Sequence, residues 1–352
     1  MPETRVGIIG VGLMGTDHAH RVAQRTANAT LVAVSDVDAD RAAGLAGRFD
    51  GVRVISDPMA LIADDSVDAV IIASPGFAHE EQVMACLQHG KYAMCEKPLT
   101  MDSTSALRLV RAERAAGHPL IQVGFMRRFD PEYTQMKALL DSGEYGRTLL
   151  LHNVHRNLSA PGADFRSEMI VRDSLVHEVD VSRFLFGEEI VSVRVMSPAA
   201  TSFAPRGVAD PQIAIFRMAG GALAITEVFA NSQVGYEVRC EVVAERGSIT
   251  AGLTQTGLYR TTAAPQPPLP GSWGGEVPQD YRTRFARAYD LEIQSWIDAT
   301  RRGEVLGPTT WDGYAATAVC TAGIRSLASG QDVPVELERL ASGGCGCPAL
   351  SR

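Results

Sequence analysis

The stretch RVGIIGVGLMG, residues 5–15, decides how the rest of this sequence is read. Its first half is an unbroken apolar run rich in β-branched residues, as in a strand buried on both faces. Its second half is G-V-G-L-M-G: Gly10, Gly12 and Gly15, with Leu13 and Met14 between them, running straight into the helical pattern TDHAHRVAQRT. Strand, glycine turn and helix in that order make a dinucleotide cradle. The first glycine makes the turn, the second lets backbone approach a pyrophosphate, and the third lets helix pack on strand. The phosphates are expected on the helix N-terminus, where free N–H groups and the helix dipole favour anions. Asp36 stands 21 residues after Gly15, closing the next strand pattern TLVAVSD. A carboxylate there accepts hydrogen bonds from the ribose hydroxyls of NAD and repels the extra phosphate of NADP. NAD is therefore the expected cofactor, with Ser35 and Arg41 leaving room for some NADP.

Outward from the cradle, short apolar strands alternate with helices: VRVIS, VDAVIIASP, YAMCEKP and LIQVGF. That alternation implies a parallel sheet covered on both sides, an α/β Rossmann domain over residues 1–123. After Phe125 the strands lengthen and several alternate: TLLLHNVHR, IVSVRVM, PQIAIFRM, ALAITEVFA and GYEVRCEVVAE. Gly220 and Gly221 read as a hairpin turn. The expectation for 124–335 is an α+β domain with a large, mostly antiparallel open sheet, closed by helices near 281–302 and 309–329. AAPQPPLPGSWGG (263–275) reads as a loop and 336–352 as a mobile tail. Trp273, Trp296 and Trp311 suit a core or an interface.

Bulk properties agree. A chain of 352 residues exceeds one comfortable core. The net charge of −8 argues against a nucleic-acid partner. No apolar run approaches the roughly 20 residues of a membrane helix, and Glu3 and Arg5 lead into a strand rather than a signal peptide; a cytoplasmic protein is expected. The six cysteines are scattered, which suits neither a disulfide framework nor a metal site, Cys345-Gly-Cys347 lacking further ligands nearby.

Chemistry concentrates at three places. ASPGFAHE ends one strand and starts a helix, so Ser74, Gly76 and His79 are candidates to line the nicotinamide side; His79 reads equally as a surface helix residue. CEKPLT follows another strand, and Lys97, beside Glu96 and held by Pro98, could transfer a proton or bind a hydroxyl. Read alone, it is as well a surface lysine. DSLVHEVD (173–180), if helical, stacks Asp173, His177 and Asp180 at i, i+4 and i+7. Such a face is a proton-handling site or a solvated polar stripe; Val171, Leu175 and Val179 supply a core face opposite. HRN puts His155 and Asn157 on one side of a strand, and Tyr236 starts another; alone, these are ordinary sheet residues.

Taken together, GVGLMG, EKP and DSLVHEVD resemble the glucose–fructose oxidoreductase / inositol dehydrogenase (Gfo/Idh/MocA) family. GFMRRFDPEY, HRN, DPQI, GYEVRCEVV and RFARAYDLEIQSWID are similar to its inositol dehydrogenases up to about residue 330. The resemblance implies an NAD-dependent dehydrogenase oxidising a cyclitol secondary alcohol, with Lys97, Asp173 and His177 as the catalytic set and Glu96 beside the cofactor. It also implies Arg127, His155, Asn157, Asp180 and Tyr236 around a small polyol, and a homotetramer. Chemically, His177 suits a base working near neutral pH, Asp173 its orienting partner, and Lys97 a donor to the reacting oxygen. Two other readings stand beside this: a relative acting on scyllo-inositol, an aminocyclitol or a sugar, and a non-catalytic NAD-binding sensor.

Overall fold

The computed structural model describes residues 2–160, 162, 164–252 and 278–338. The loop expected at 263–275, with Trp273, and the tail from 339, with Cys345 and Cys347, lie outside the described residues. Of the described residues, those through Phe129 and over Arg287–Thr317 belong to one compact unit; those within Asp130–Ala286 and 318–338 form another.

In the first unit, β1 (Thr4–Ile9), β2 (Ala29–Ser35), β3 (Arg53–Val54), β4 (Ala69–Ile72), β5 (Tyr92–Glu96) and β6 (Ile121–Gly124) form a parallel sheet. The order is β3-β2-β1-β4-β5-β6. Helices α1 (Leu13–Gln24), α2 (Ala39–Ala46), α3 (Pro58–Ala63), α4 (His79–Gln88) and α5 (Ser103–Ala116) connect the strands. The order reverses between β1 and β4, the switch point at which such sheets open a crevice beyond the strand carboxyl ends. Register aligns those ends: Ile9 pairs with Ile72, Ile72 with Cys95, and Cys95 with Val123. Gly10, Ala73 and Glu96 therefore emerge on one edge. All four residues of β4 are buried, which is why its sequence reads as an unbroken apolar run.

The second unit holds β7 (Thr148–Arg156), β8 (Ile190–Met196), β9 (Gln212–Met218), β10 (Leu223–Phe229), β11 (Glu237–Ala244), β12 (Gly247–Ala251) and β13 (Val333–Pro334). Their order is β12-β11-β7-β10-β9-β8-β13, antiparallel except where β10 runs parallel to β7. The expected hairpin joins β9 to β10: Gly221 takes φ +92° and donates to the Met218 carbonyl. Helices α6 (Pro131–Asp141), α7 (Ser167–Met169), α8 (Val176–Phe186) and α9 (Tyr281–Arg284) accompany this sheet.

Beyond the expected first domain of 1–123, further segments of the expected second domain, 124–335, join the first compact unit. The segment 124–129 and most of α10 (Ala286–Thr300), with the first turns of α11 (Thr310–Ser329), belong to the first unit. Packing is the reason. Ile293, Trp296 and Ile297 are fully buried in one apolar cluster with Val6, Ile8, Ile71 and Met94. The N–H of Val123 donates to the Pro308 carbonyl at 2.8 Å. Burial of large apolar side chains, worth about 1.5–3 kcal/mol each, recruits a helix encoded far downstream.

Candidate active site

The glycine turn is built for close approach. Gly10 has φ +81°, and a Cβ there would collide with the Ser74 backbone nitrogen and lie 2.6 Å from the Ala73 carbonyl oxygen. A Cβ on Gly15 would overlap the Gly10 carbonyl oxygen, whereas one on Gly12 would meet nothing within 4 Å. Gly10 and Gly15 thus serve the protein's own packing, and Gly12 faces open space. Helix α1 starts at Gly12 with no side-chain cap, and its first residues, Leu13 and Met14, are exposed and half-buried. Its first N–H groups are the orphan donors that an anion satisfies. The donor set and the open face fit a pyrophosphate.

Asp36 does more than the sequence reading gave it. One carboxylate oxygen accepts the Val11 N–H at 2.7 Å; the other accepts the Asp38 N–H at 2.9 Å and Arg41 Nη1 at 3.4 Å. It ties the glycine turn to the end of β2 while keeping spare lone pairs for ribose hydroxyls. Arg41, which the sequence could not place, stands against this carboxylate.

At the ends of β4 and β5 the candidates separate. Ser74 Oγ donates to Gln82 at 2.6 Å. Gly76 opens a short 3-10 turn, Gly76–Ala78, where a Cβ would press on the Met101 sulfur at 2.9 Å. His79 is not a surface residue: it is 1% exposed, with ring nitrogens 2.9 Å from the Pro98 carbonyl and 2.8 Å from that of Ser74. Burial pushes its pKa down against those carbonyls. It braces the two strand-end loops. Glu96 is buried between His18 and the Lys97 backbone, Lys97 itself is half-buried, and Arg127 is buried in the turn after β6. Burial raises the Cys86 thiol to about 12 and pushes Cys95 and Cys320 well up, which leaves them protonated and inert.

In the second unit a polar group gathers on the covered face of the sheet. The alternation of β7 buries Asn153 and His155. His155 Nδ1 lies 3.2 Å from the buried Glu178 carboxylate. Its ring meets His177 edge-on at 6.2 Å and Tyr236 at 5.5 Å between centroids. Three residues named separately from the sequence are thus neighbours. Asn157 is half-buried just past β7, its backbone bonded to Phe229 and Ser232.

The helix carrying DSLVHEVD is not amphipathic. Every residue from Val176 to Arg183 is buried, including His177 at 7% and Asp180 at 1% exposure, so the solvated-stripe reading fails. Nor is it α-helical throughout: Ile170–Leu175 forms a π turn. Such a turn closes at i+5 instead of i+4 and is frequent at functional sites. Asp173, with 37% of its side chain exposed, is gripped by Arg172 through Nε at 2.8 Å and Nη2 at 2.9 Å. That hydrogen bond raises the Arg172 pKa. The sequence reading missed Arg172, Glu178 and His18. The only available signal was position: a charged or ionisable residue next to, or one turn from, a named one.

Comparison with known proteins follows the same outline. The model of the oxidoreductase family with an NAD-binding Rossmann fold (GFO/IDH/MocA) matches residues 4–125, and that of the GFO/IDH/MocA C-terminal domain matches 133–250. The chain is 53% identical to inositol 2-dehydrogenase 2 of Mycolicibacterium vanbaalenii, covering 96% of each. It is 50% identical to inositol 2-dehydrogenase of Mycolicibacterium smegmatis, covering 97% of this chain and 99% of the other. Among solved structures, myo-inositol dehydrogenase from Lactobacillus casei, in complex with NAD(H) and myo-inositol, superposes with a TM-score of 0.88 at 31% identity, over 99% of this chain and 100% of that one. This chain belongs to the GFO/IDH/MocA family of oxidoreductases.

Proposed function

We propose that this protein is an NAD-dependent dehydrogenase that oxidises a secondary alcohol of myo-inositol, giving 2-keto-myo-inositol (scyllo-inosose). The observation that carries this is the near full-length identity of about half with proteins named inositol 2-dehydrogenase. The polar group around His177 supports it, because burying histidines, acids and a tyrosine together is costly unless they have a polar task.

When bound, NAD supplies the hydride acceptor. Gly12 with the first N–H groups of α1, at Leu13 and Met14, would hold its phosphates, Gly10 and Gly15 would shape the turn that brings backbone close to them, and Asp36 would hold a ribose. His177 takes the proton from the hydroxyl oxygen being oxidised. Lys97 donates a hydrogen bond to the same oxygen and stabilises negative charge developing on it. Asp173, steadied by Arg172, acts on the charge of the imidazole. Arg127, His155, Asn157, Asp180 and Tyr236 exchange hydrogen bonds with the remaining hydroxyls, each of which must replace water with a protein partner.

The test is NADH formation from a panel of cyclitols and hexoses, with NAD and NADP compared. Turnover confined to scyllo-inositol, an aminocyclitol or a sugar replaces the substrate assigned here. Tight NAD binding with no turnover on any member makes the protein a sensor. We infer further that the protein is a cytoplasmic homotetramer. The half-exposed face of β9 and β10 carries Ile213, Ile215, Ile225 and Phe229, an apolar surface suited to a second copy. Light scattering that returns the monomer mass refutes that assembly.

A further inference from the structure

Glu96 has both oxygens engaged. Oε1 lies 2.8 Å from Nε2 of His18, and Oε2 accepts the Lys97 backbone N–H at 3.2 Å. An ionised carboxylate only accepts, so the His18 Nε2 carries the hydrogen. His18 is fully buried on α1, one turn beyond Gly15, with its ring edge-on to Tyr289 at 5.9 Å. Gly124 closes the third side: a Cβ there would press on the Glu96 carboxylate at 3.2 Å.

Such a pair is expensive. A buried carboxylate and imidazole are often replaced by apolar side chains without loss of stability. Helix α1 already has its apolar anchors in Ala19 and Val22, which pack with Val6 and Ile8. Packing alone therefore leaves the pair unexplained. What it does join is the helix that carries the dinucleotide cradle and the lysine at the end of β5. Burial works to raise the Glu96 pKa; the hydrogen bond and charge of His18, the charge of Lys97 and its N–H outweigh this and hold it low.

We propose that His18 and Glu96 are positioning residues for Lys97: His18 fixes the Glu96 carboxylate, and the carboxylate fixes the backbone and charge environment of the lysine. This rests on the reading that Lys97 binds the reacting hydroxyl. Three variants test it. His18→Phe keeps a ring and loses the donor, His18→Gln keeps a donor, and Glu96→Gln keeps shape and loses charge. A misplaced group costs up to about a hundredfold, so His18→Phe and Glu96→Gln lower kcat by about ten- to a hundredfold, and His18→Phe keeps KM for NAD within about twofold. His18→Gln recovers most of that loss, and the double variant His18→Phe/Glu96→Gln is no worse than either single change.

A second readout needs no substrate. The chain has three lysines, Lys91, Lys97 and Lys137, and acetic anhydride labelling of the apoprotein, read by peptide mass spectrometry, follows each. In His18→Phe and Glu96→Gln the Lys97 rate changes by about threefold or more, the scale of coupling between residues in contact, while Lys91 and Lys137 keep theirs. Unchanged Lys97 labelling, or equal kcat losses in His18→Phe and His18→Gln, overturns the proposal. A protein that makes no NADH from any cyclitol, yet shows the Lys97 response, refutes the reading of the substrate and leaves this one standing.

Discussion

Replacing Gly12 by alanine separates the fold from the cofactor. Gly12 has φ −66°, outside the left-handed region that favours glycine, and its added Cβ would meet nothing within 4 Å. The folded chain therefore loses little, under about 1 kcal/mol for an N-cap change. That open volume is where a pyrophosphate lies if α1 holds one. A methyl group there pushes phosphate oxygens away from the first N–H groups of the helix. Hydrogen bonds to charged groups contribute about 1.5–3 kcal/mol each, and losing one such bond, or half of two, weakens NAD by about ten- to a hundredfold. Gly15→Ala is the contrast, because its methyl overlaps the Gly10 carbonyl oxygen before any ligand arrives. Melting of the apoproteins and NAD titration by calorimetry separate the cases: Gly12→Ala keeps the wild-type Tm and loses affinity, and Gly15→Ala loses Tm. If Gly12→Ala binds NAD within about twofold of wild type, where a tenfold loss or more is expected, the helix N-terminus is not the phosphate site.

Four further outcomes follow from named contacts. His177→Ala lowers kcat by about 10²–10⁴-fold, the usual worth of general acid–base catalysis, with NAD affinity kept; a fully active variant at neutral pH removes His177 from the chemistry. Asp36→Ala weakens NAD more than NADP and also lowers Tm, because the carboxylate holds the Val11 and Asp38 N–H groups; equal losses of both cofactors contradict its ribose role. Trp296→Ala costs about 3–5 kcal/mol in urea unfolding, although Trp296 lies far from the cradle in sequence; a loss under about 1 kcal/mol shows that α10 is not part of that core. Acid sensitivity has a definite sign. Glu96 titrates below its ordinary 4.5 when folded, so its pairing stabilises above that pH and the gain is lost as pH falls through the folded value. As pH falls from above 4.5 through the lower folded value, wild-type Tm falls more steeply than that of Glu96→Gln, and parallel curves show that the pair does not stabilise the fold.

What could be read in advance was local. A glycine turn, the strand before it and the helix after it lie within a dozen residues, and so does their physical reason. The β-branched runs of the first sheet and the alternation of β7 carry their own periodicity in the same way. The unit boundary was not local, since nothing in RFARAYDLEIQSWID says which sheet Trp296 packs on. The π turn was invisible for a related reason: side-chain spacing reports a helix but not whether its bonds close at i+4 or i+5. Reading DSLVHEVD as one regular helix therefore missed the change of hydrogen bonding between Ile170–Leu175 and Val176–Phe186.

The same logic explains Glu178 and His18, which in sequence are an acid beside a named histidine and a histidine one turn into a helix. Each is an unremarkable helix residue until its partner is known, and the partners come from elsewhere: His155 from β7, and Glu96 from 78 residues downstream of His18. A charge can be buried only where something answers it. The residues hardest to identify in the sequence are thus those whose burial must be justified by a distant group. Here they adjoin the named ones, with Glu96 holding the Lys97 backbone and the Glu178–His155 pair adjoining His177, so each candidate could be named from its own segment and each neighbour only from the fold.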